Sequence, residues 1–274
     1  MFDLTDIWAI FIRILIGLII GFCIGLTSIG GGVLILPALT VLLKTDPLVA
    51  VGTTTLYAFL TKITAIFHHI KLQNIDWSIC KRFLIGAIPS TILTSAWISL
   101  QGADQIFKSQ LETFIIGVIF FGIILMILDM FSQKKSDSKE SKIARNLFKY
   151  SKLRSTLAGL FGVICGALVG ATAIGGGVIV VPILIIVFGL TTSKTVGSAI
   201  FLAFIMTAIT SLTFGARGEI DFYTALIMSF GSTIGVYFGS RLSVNLPEII
   251  LRSIVLGLVI TGAIMMCIKK VYLD

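Results

Sequence analysis

The sequence reads GFCIGLTSIGGGVLILP at residues 21–37 and GALVGATAIGGGVIVVP at residues 166–182. The two stretches share their glycines, a threonine and a proline at a constant offset of 145 residues, since 166 minus 21 is 145. The register holds without a gap through the rest of each half. It also pairs Val51-Gly52 with Val196-Gly197, Ala58-Phe59 with Ala203-Phe204, Ile75-Asp76 with Ile220-Asp221, Gly86 with Gly231 and Gly117 with Gly262. The chain is therefore a duplicated unit.

The composition is that of a membrane protein. Hydrophobic residues make up 57% of the chain, charged residues only 12%, and the mean hydropathy is +1.07. A soluble domain carries roughly 25% charged residues, so this chain has too few charges to cover a water-facing surface. Apolar runs long enough to cross a bilayer as helices recur, without the alternation of barrel strands. The sequence predicts an all-α, polytopic membrane protein.

Apolar runs and helix breakers divide the chain into ten segments. We expect eight to ten of them to be membrane segments, arranged as two five-segment repeats at 1–131 and 154–274. A basic linker at 132–153 joins the repeats. An odd number of spans per repeat would insert the second copy upside down, which is the inverted topology typical of secondary transporters. The segments are 7–28, 31–44, 49–68, 77–99, 110–131, 154–173, 176–189, 195–214, 222–242 and 249–268.

The basic residues predict the orientation. Placing the linker in the cytoplasm puts fourteen Lys and Arg side chains on that side and five on the other. This asymmetry follows the positive-inside rule, with both termini outside. We expect a multi-pass protein of the inner (plasma) membrane, surrounded by lipid. The net charge of +8 does not indicate nucleic-acid binding, because the basic residues lie in loops between spans.

The short second segment of each repeat predicts the binding site. Segments 31–44 and 176–189 begin at the triple glycines and are too short to cross the hydrocarbon core. Short, glycine-broken segments at matching positions mark the substrate site of a transporter. Free N–H groups at helix starts attract anions, and glycine lets an anion approach the backbone. We therefore predict a small anionic solute bound at the midplane by residues among Thr27, Ser28, Gly30, Gly31, Gly32, Thr53, Thr54, Lys62, Thr172, Gly175, Gly176, Gly177 and Ser198.

Several of these residues also fit purely structural roles. The triple glycines could serve only for close helix packing, as we expect of the four-residue glycine spacing at 17–25 and 162–170. Thr53, Thr54 and Ser198 could be ordinary hydroxyls near a helix start. Lys62 could extend to the headgroups rather than meet an anion. Asp76 and Asp221 each precede a segment and are predicted to be N-caps.

The sequence leaves two classes of function open. The leading hypothesis is a secondary transporter working by alternating access, and the alternative is a passive anion channel. A membrane enzyme would need clustered polar side chains at one depth, and none is evident, so we predict no catalytic residue, metal or cofactor. No acidic side chain stands out within the spans, which leaves the coupling ion open. Self-association as a homodimer is also left open.

The duplicated Ile-Gly-Gly-Gly-Val-x-x-x-Pro motif at 29–37 and 174–182 resembles the sulfite exporter TauE/SafE family, also called the 4-toluene sulfonate uptake permease family. Val-Gly-Thr at 51–53, Val-Gly-Ser at 196–198 and the turns at 74–76 and 218–221 resemble the same family. The likeness extends over about residues 10–268, although Asn74 stands where the family usually has glycine. The resemblance implies an inner-membrane transporter of sulfite, an organosulfonate or another sulfur oxyanion.

Overall fold

The computed structural model describes residues 4–27, 31–101, 104–133, 151–174, 176–243 and 248–273. Within these ranges the backbone forms helices joined by short turns, and no strand occurs. The predicted site residues Ser28, Gly30 and Gly175 lie outside the described residues, as does most of the linker. The helices are α1 Leu4–Thr27, α2 Gly32–Pro37, α3 Pro47–Lys71, α4 Trp77–Leu100, α5 Gln105–Gln133, α6 Ser151–Thr172, α7 Val180–Ile186, α8 Thr192–Gly215, α9 Phe222–Ser243 and α10 Glu248–Leu273.

Eight of these helices are long and apolar enough to cross a bilayer, namely all except α2 and α7. Many of their large apolar side chains point outward. Ile85 is 74% exposed, Leu93 70% and Phe230 65%. Such surfaces are stable against lipid but not against water. The protein is therefore a multi-pass, all-helical membrane protein, as predicted.

The two short helices differ from each other more than the sequence predicted. α2 begins at Gly32, at the end of its triple glycine, and continues as a π-helical turn through Ala38–Leu42. α7 does not begin at Gly176. The chain bends at Ala173, whose φ is 57°, and passes through turns at 176–179 before the helix starts at Val180. The expected matching helix starts are thus wrong for the second repeat, because the bend at Ala173 and the turns after it come before any helical backbone.

Glycines allow close packing between α1 and α9 and between α4 and α6. A Cβ added at Gly162 would lie 2.0 Å from the Phe83 carbonyl oxygen, so only glycine fits. The packing interpretation of both glycine stripes is confirmed. The contacts are Gly17 with Met228, Gly21 with Ser232 and Gly25 with Val236 in the first pair, and Gly162 with Phe83, Gly166 with Ala87 and Gly170 with Thr91 in the second.

These contacts recur crosswise at the 145-residue offset. A Cβ at Gly52 would lie 2.1 Å from the Glu219 carbonyl oxygen, and one at Gly197 would lie 2.0 Å from the Asn74 carbonyl oxygen. In each case a residue of one repeat meets the loop of the other. The first three long helices of each repeat therefore pack largely on the opposite repeat, in the pairs α1 with α9, α4 with α6 and α3 with α8.

Polar contacts gather the helix ends into two groups on opposite sides of the bundle. What we call face 1 contains the α2–α3 loop, the ends of α4 and α10, the start of α5 and the α8–α9 loop. Face 2 contains the α3–α4 loop and the start of α8. Face 1 is joined by Lys108 with Asp46 at 2.7 Å, Lys269 with Glu112 at 3.1 Å and Ser99 with Glu219, and face 2 by Ser198 with the Asp76 amide at 2.9 Å.

Candidate functional site

A small cavity lies between the two glycine-rich breaks. Its lining comes from both repeats, and the cavity has room for about one water molecule. Lys62 and Ala58 contribute from the middle of α3, and Thr207 contributes from the middle of α8. The remaining lining residues are Gly32, Val33, Ala173, Gly176, Gly177 and Val178. The cavity is thus where the two interrupted segments and the two central helices meet.

The two breaks are in direct contact at this cavity. A Cβ on Gly32 would lie 2.5 Å from the Ala173 carbonyl oxygen, which belongs to the break of the other repeat. A Cβ on Gly176 would lie 2.5 Å from the Cβ of Ala203 on α8. Neither position has space for a side chain, so backbone rather than side chains forms this wall.

Lys62 supplies the charge of the cavity. Its Nζ donates to the carbonyl oxygen of Ala58 at 3.0 Å, and the side chain is partly buried. It lines the cavity and does not extend to either face, which argues against the snorkelling alternative. Among the described residues no carboxylate lies within ion-pair distance of it. An unpaired ammonium at membrane depth is costly unless an anion meets it, so this lysine is suited to bind one.

Thr207 occupies the position equivalent to Lys62 in the second repeat. Its hydroxyl donates to the Ala203 carbonyl oxygen at 2.7 Å, just as Lys62 donates to Ala58. Next to this pair, the rings of Phe59 and Phe204 stack with centroids 5.0 Å apart. The centre of the bundle is therefore built from equivalent residues, but only one of the two central positions carries a charge.

The structure brings together some of the predicted site residues. Gly32, Lys62, Gly176 and Gly177 line the cavity, and the buried Gly31 precedes them as the N-cap of α2. α1 ends at Thr27, whose backbone but not side chain is among the described parts of the structure.

Three predicted hydroxyls have other partners. Thr53 Oγ1 accepts from the Asp221 amide at 3.0 Å, and Ser198 Oγ accepts from the Asp76 amide at 2.9 Å, so both fasten loops of the opposite repeat. Thr172 donates to the Leu168 carbonyl oxygen at 2.7 Å. These contacts favour the structural alternative for all three.

Thr54, the fourth predicted hydroxyl whose side chain the structure describes, is fully buried, and its Oγ1 has no hydrogen-bond partner among the described residues.

The predicted N-caps are confirmed, since Asp76 Oδ1 accepts from the Ile79 amide at 3.0 Å and Asp221 Oδ1 accepts from the Thr224 amide at 2.9 Å.

The sequence reasoning missed two features. Thr207 was not among the predicted site residues, although it occupies the position equivalent to Lys62 in the second repeat. The expectation that no buried acidic side chain stands out within the spans was wrong. Glu112, in the second turn of α5, is 3% exposed and pairs with Lys269 near the end of α10. This ion pair joins the two repeats at face 1.

Comparison with protein families gives a match to the sulfite exporter TauE/SafE family over residues 13–266. The chain belongs to this family. A relative called "Probable membrane transporter protein YjnA", from Bacillus subtilis strain 168, is 31% identical over 237 residues, covering 84% of this chain and 89% of the relative. Another from the same organism, "Probable membrane transporter protein YunE", is 23% identical over 250 residues, covering 85% and 88%.

A further relative, from Methanocaldococcus jannaschii, is also called a probable membrane transporter protein and is 30% identical over 178 residues, covering 62% of this chain and 60% of the relative. No solved structure matches the chain significantly. The family and its relatives identify this protein as a membrane transporter.

Proposed function

We propose that this TauE/SafE protein is a secondary transporter that carries sulfite, an organosulfonate or another small sulfur oxyanion across the plasma membrane by alternating access. The observation that supports the proposal most is the uncompensated ammonium of Lys62 in a cavity formed by two broken segments. Broken backbone at membrane depth is tolerated where it lines a cavity, and transporters use it to bind substrate.

We also propose that the two repeats have inverted topology. An odd number of membrane segments per repeat, with α2 and α7 counted, would require it. The crosswise contacts support it, because Gly52 meets the loop at Glu219 on face 1 while the equivalent Gly197 meets the loop at Asn74 on face 2. An inverted pair can exchange equivalent conformations, which opens the central cavity first to one face and then to the other.

In this mechanism Lys62 changes partners. Without substrate its Nζ donates to the Ala58 carbonyl oxygen. An arriving oxyanion accepts from Nζ instead, and the charge-assisted bond repays the desolvation of both ions. Backbone at Gly32, Gly176 and Gly177 approaches the anion closely, since no side chain stands in the way. The cavity has room for about one water molecule, so the helices must separate before an anion of this size can bind.

Counterflow in proteoliposomes tests the function. Labelled sulfite, thiosulfate, sulfoacetate and sulfate are offered to the wild type, to Lys62→Gln and to Lys71→Gln, a control at the exposed end of the same helix. We expect saturable exchange of at least one sulfur oxyanion and a loss of affinity of about 30-fold or more for Lys62→Gln, because a charged hydrogen bond is removed. Lys71→Gln should match the wild type.

Two results would contradict the proposal. Exchange of none of the four anions would remove the substrate class. Flux that neither saturates nor shows counterflow would favour the passive channel instead.

A further inference from the structure

Most buried hydroxyls in the described part of the chain have a hydrogen-bond partner, often a carbonyl oxygen of their own helix. Thr55 donates to the Gly52 carbonyl oxygen at 2.7 Å, and Ser229 donates to the Ala225 carbonyl oxygen at 2.7 Å. Three fully buried hydroxyls are exceptions. Those of Thr54, Tyr57 and Ser232 have no hydrogen-bond partner within the described part of the chain.

The three lie close together in the bundle. The side chain of Ser232 on α9 is a near neighbour of the Tyr57 hydroxyl on α3, although neither hydroxyl has a partner that meets the distance and angle of a hydrogen bond. Ser232 also lies against α1, where a Cβ on Gly21 would be 2.7 Å from its Oγ. Thr54 precedes Tyr57 by one turn on α3. The hydroxyls therefore mark one region between α1, α3 and α9.

This region lies between face 1 and the central cavity. α3 starts at face 1, where Gly52 meets Glu219, and reaches the cavity at Ala58 and Lys62. Tyr57 and Thr54 precede Lys62 by five and eight residues, which is about 7 and 12 Å along the helix. They do not line the cavity in its present narrow form. An anion moving between face 1 and Lys62 would pass along this stretch of α3.

The second repeat has no such region. The positions equivalent to Thr54, Tyr57 and Ser232 at the 145-residue offset are Ala199, Leu202 and Ala87. The same helix packing is thus made there with apolar side chains, so the fold does not require the hydroxyls. Leaving a buried hydroxyl unpaired is unfavourable, and it is retained where something else accepts its hydrogen.

We infer that Thr54, Tyr57 and Ser232 form a second anion subsite on the face 1 side of the cavity. It donates O–H groups to the oxygens of the substrate as these approach or leave Lys62. Hydroxyl donors suit sulfur oxyanions, which carry only acceptor oxygens. The inference rests on the proposed anion transport, and it makes the two halves of the pathway chemically unequal, with hydroxyls towards face 1 and apolar side chains towards face 2.

Thermal unfolding of the protein in lipid nanodiscs, titrated with sulfite or thiosulfate, tests the subsite. Tyr57→Phe and Ser232→Ala each remove one hydroxyl. The matched controls are Tyr237→Phe, which alters an exposed tyrosine on α9, and Ser229→Ala, which alters a buried serine bonded to its own helix. We expect the anion concentration for half-maximal stabilisation to rise about tenfold for each subsite variant and to stay unchanged for the controls. Without anion, the two subsite variants should unfold at the wild-type temperature or above, since an unpaired hydroxyl has been removed.

The outcomes separate the possible failures. If Tyr57→Phe and Ser232→Ala respond to the anion like the wild type, the hydroxyls bind water or nothing, and the subsite is refuted while the transporter stands. If the controls lose the response equally, the effect is structural and the subsite is again refuted. If no anion stabilises the wild type and Lys62→Gln behaves identically, the proposed function fails, and the subsite fails with it.

Discussion

The adjacent glycines Gly31 and Gly32 should respond differently to substitution by alanine. Gly31 has ordinary helical backbone angles, φ −62° and ψ −16°. A Cβ there would lie 2.5 Å from the end of the Ile24 side chain, which can rotate away. A Cβ on Gly32 would lie 2.5 Å from the carbonyl oxygen of Ala173, whose backbone is held at φ 57°. That backbone cannot yield without disturbing the contact between the two breaks.

The magnitudes follow from these contacts. Overpacking against backbone costs about 2 kcal/mol. Replacing glycine by alanine returns about 0.5–1 kcal/mol through the lower entropy of the unfolded chain. Gly32→Ala should therefore lose about 1 kcal/mol or more of unfolding free energy. Gly31→Ala should stay within about 1 kcal/mol of the wild type, on either side, because the Ile24 adjustment offsets the entropic gain.

Thermal unfolding of both variants in lipid nanodiscs without ligand is the direct assay. We expect Gly32→Ala to unfold about 2–4 °C below the wild type and Gly31→Ala near it. Equal melting temperatures for Gly32→Ala and the wild type would mean that the two breaks do not touch, and the account of the cavity wall would be refuted.

Two further predictions concern the loops. Gly52→Ala and Gly197→Ala should each destabilise the protein by about 2 kcal/mol or more, because each added Cβ would meet a carbonyl oxygen of the opposite repeat. Gly117→Ala is the control and should be neutral or stabilising, since a Cβ there has nothing within 4 Å. Equal melting temperatures for all three variants would contradict this prediction. Burial raises the pKa of Glu219 on face 1, so the folded protein holds this proton more tightly than the unfolded chain does, and stability falls as pH rises above the ordinary carboxyl range. Glu219→Gln should flatten that decline in a melting series from acid to neutral pH, and an unchanged slope would refute the assignment.

Much of the fold is readable in the linear sequence. The membrane class follows from too few charges to cover a surface, and the eight long spans follow from runs of apolar residues, both local properties of the chain. The repeat follows from the register between 21–37 and 166–182. The N-cap roles of Asp76 and Asp221 were also predictable, because capping joins residues three apart.

Contacts between distant residues lay beyond such reasoning. Thr53 and Ser198 were equally consistent with binding and with structure, and the choice depends on amides 168 and 122 residues away. The pairing of Glu112 with Lys269 is hidden for the same reason, since the partners are 157 residues apart. The start of α7 depends on how the chain bends at Ala173 against Gly32.

Lys62 shows most clearly which features the linear sequence reveals and which depend on tertiary packing. Its place within an apolar segment marks it as unusual. Whether its flexible side chain reaches a headgroup or an internal cavity depends on what packs around α3, and the sequence alone leaves both open. The packing of the two glycine breaks beside Ala58 leaves a space there, and the ammonium lies in it. Composition and repeat register are properties of the linear sequence, whereas a cavity exists only after segments far apart in sequence have been brought together.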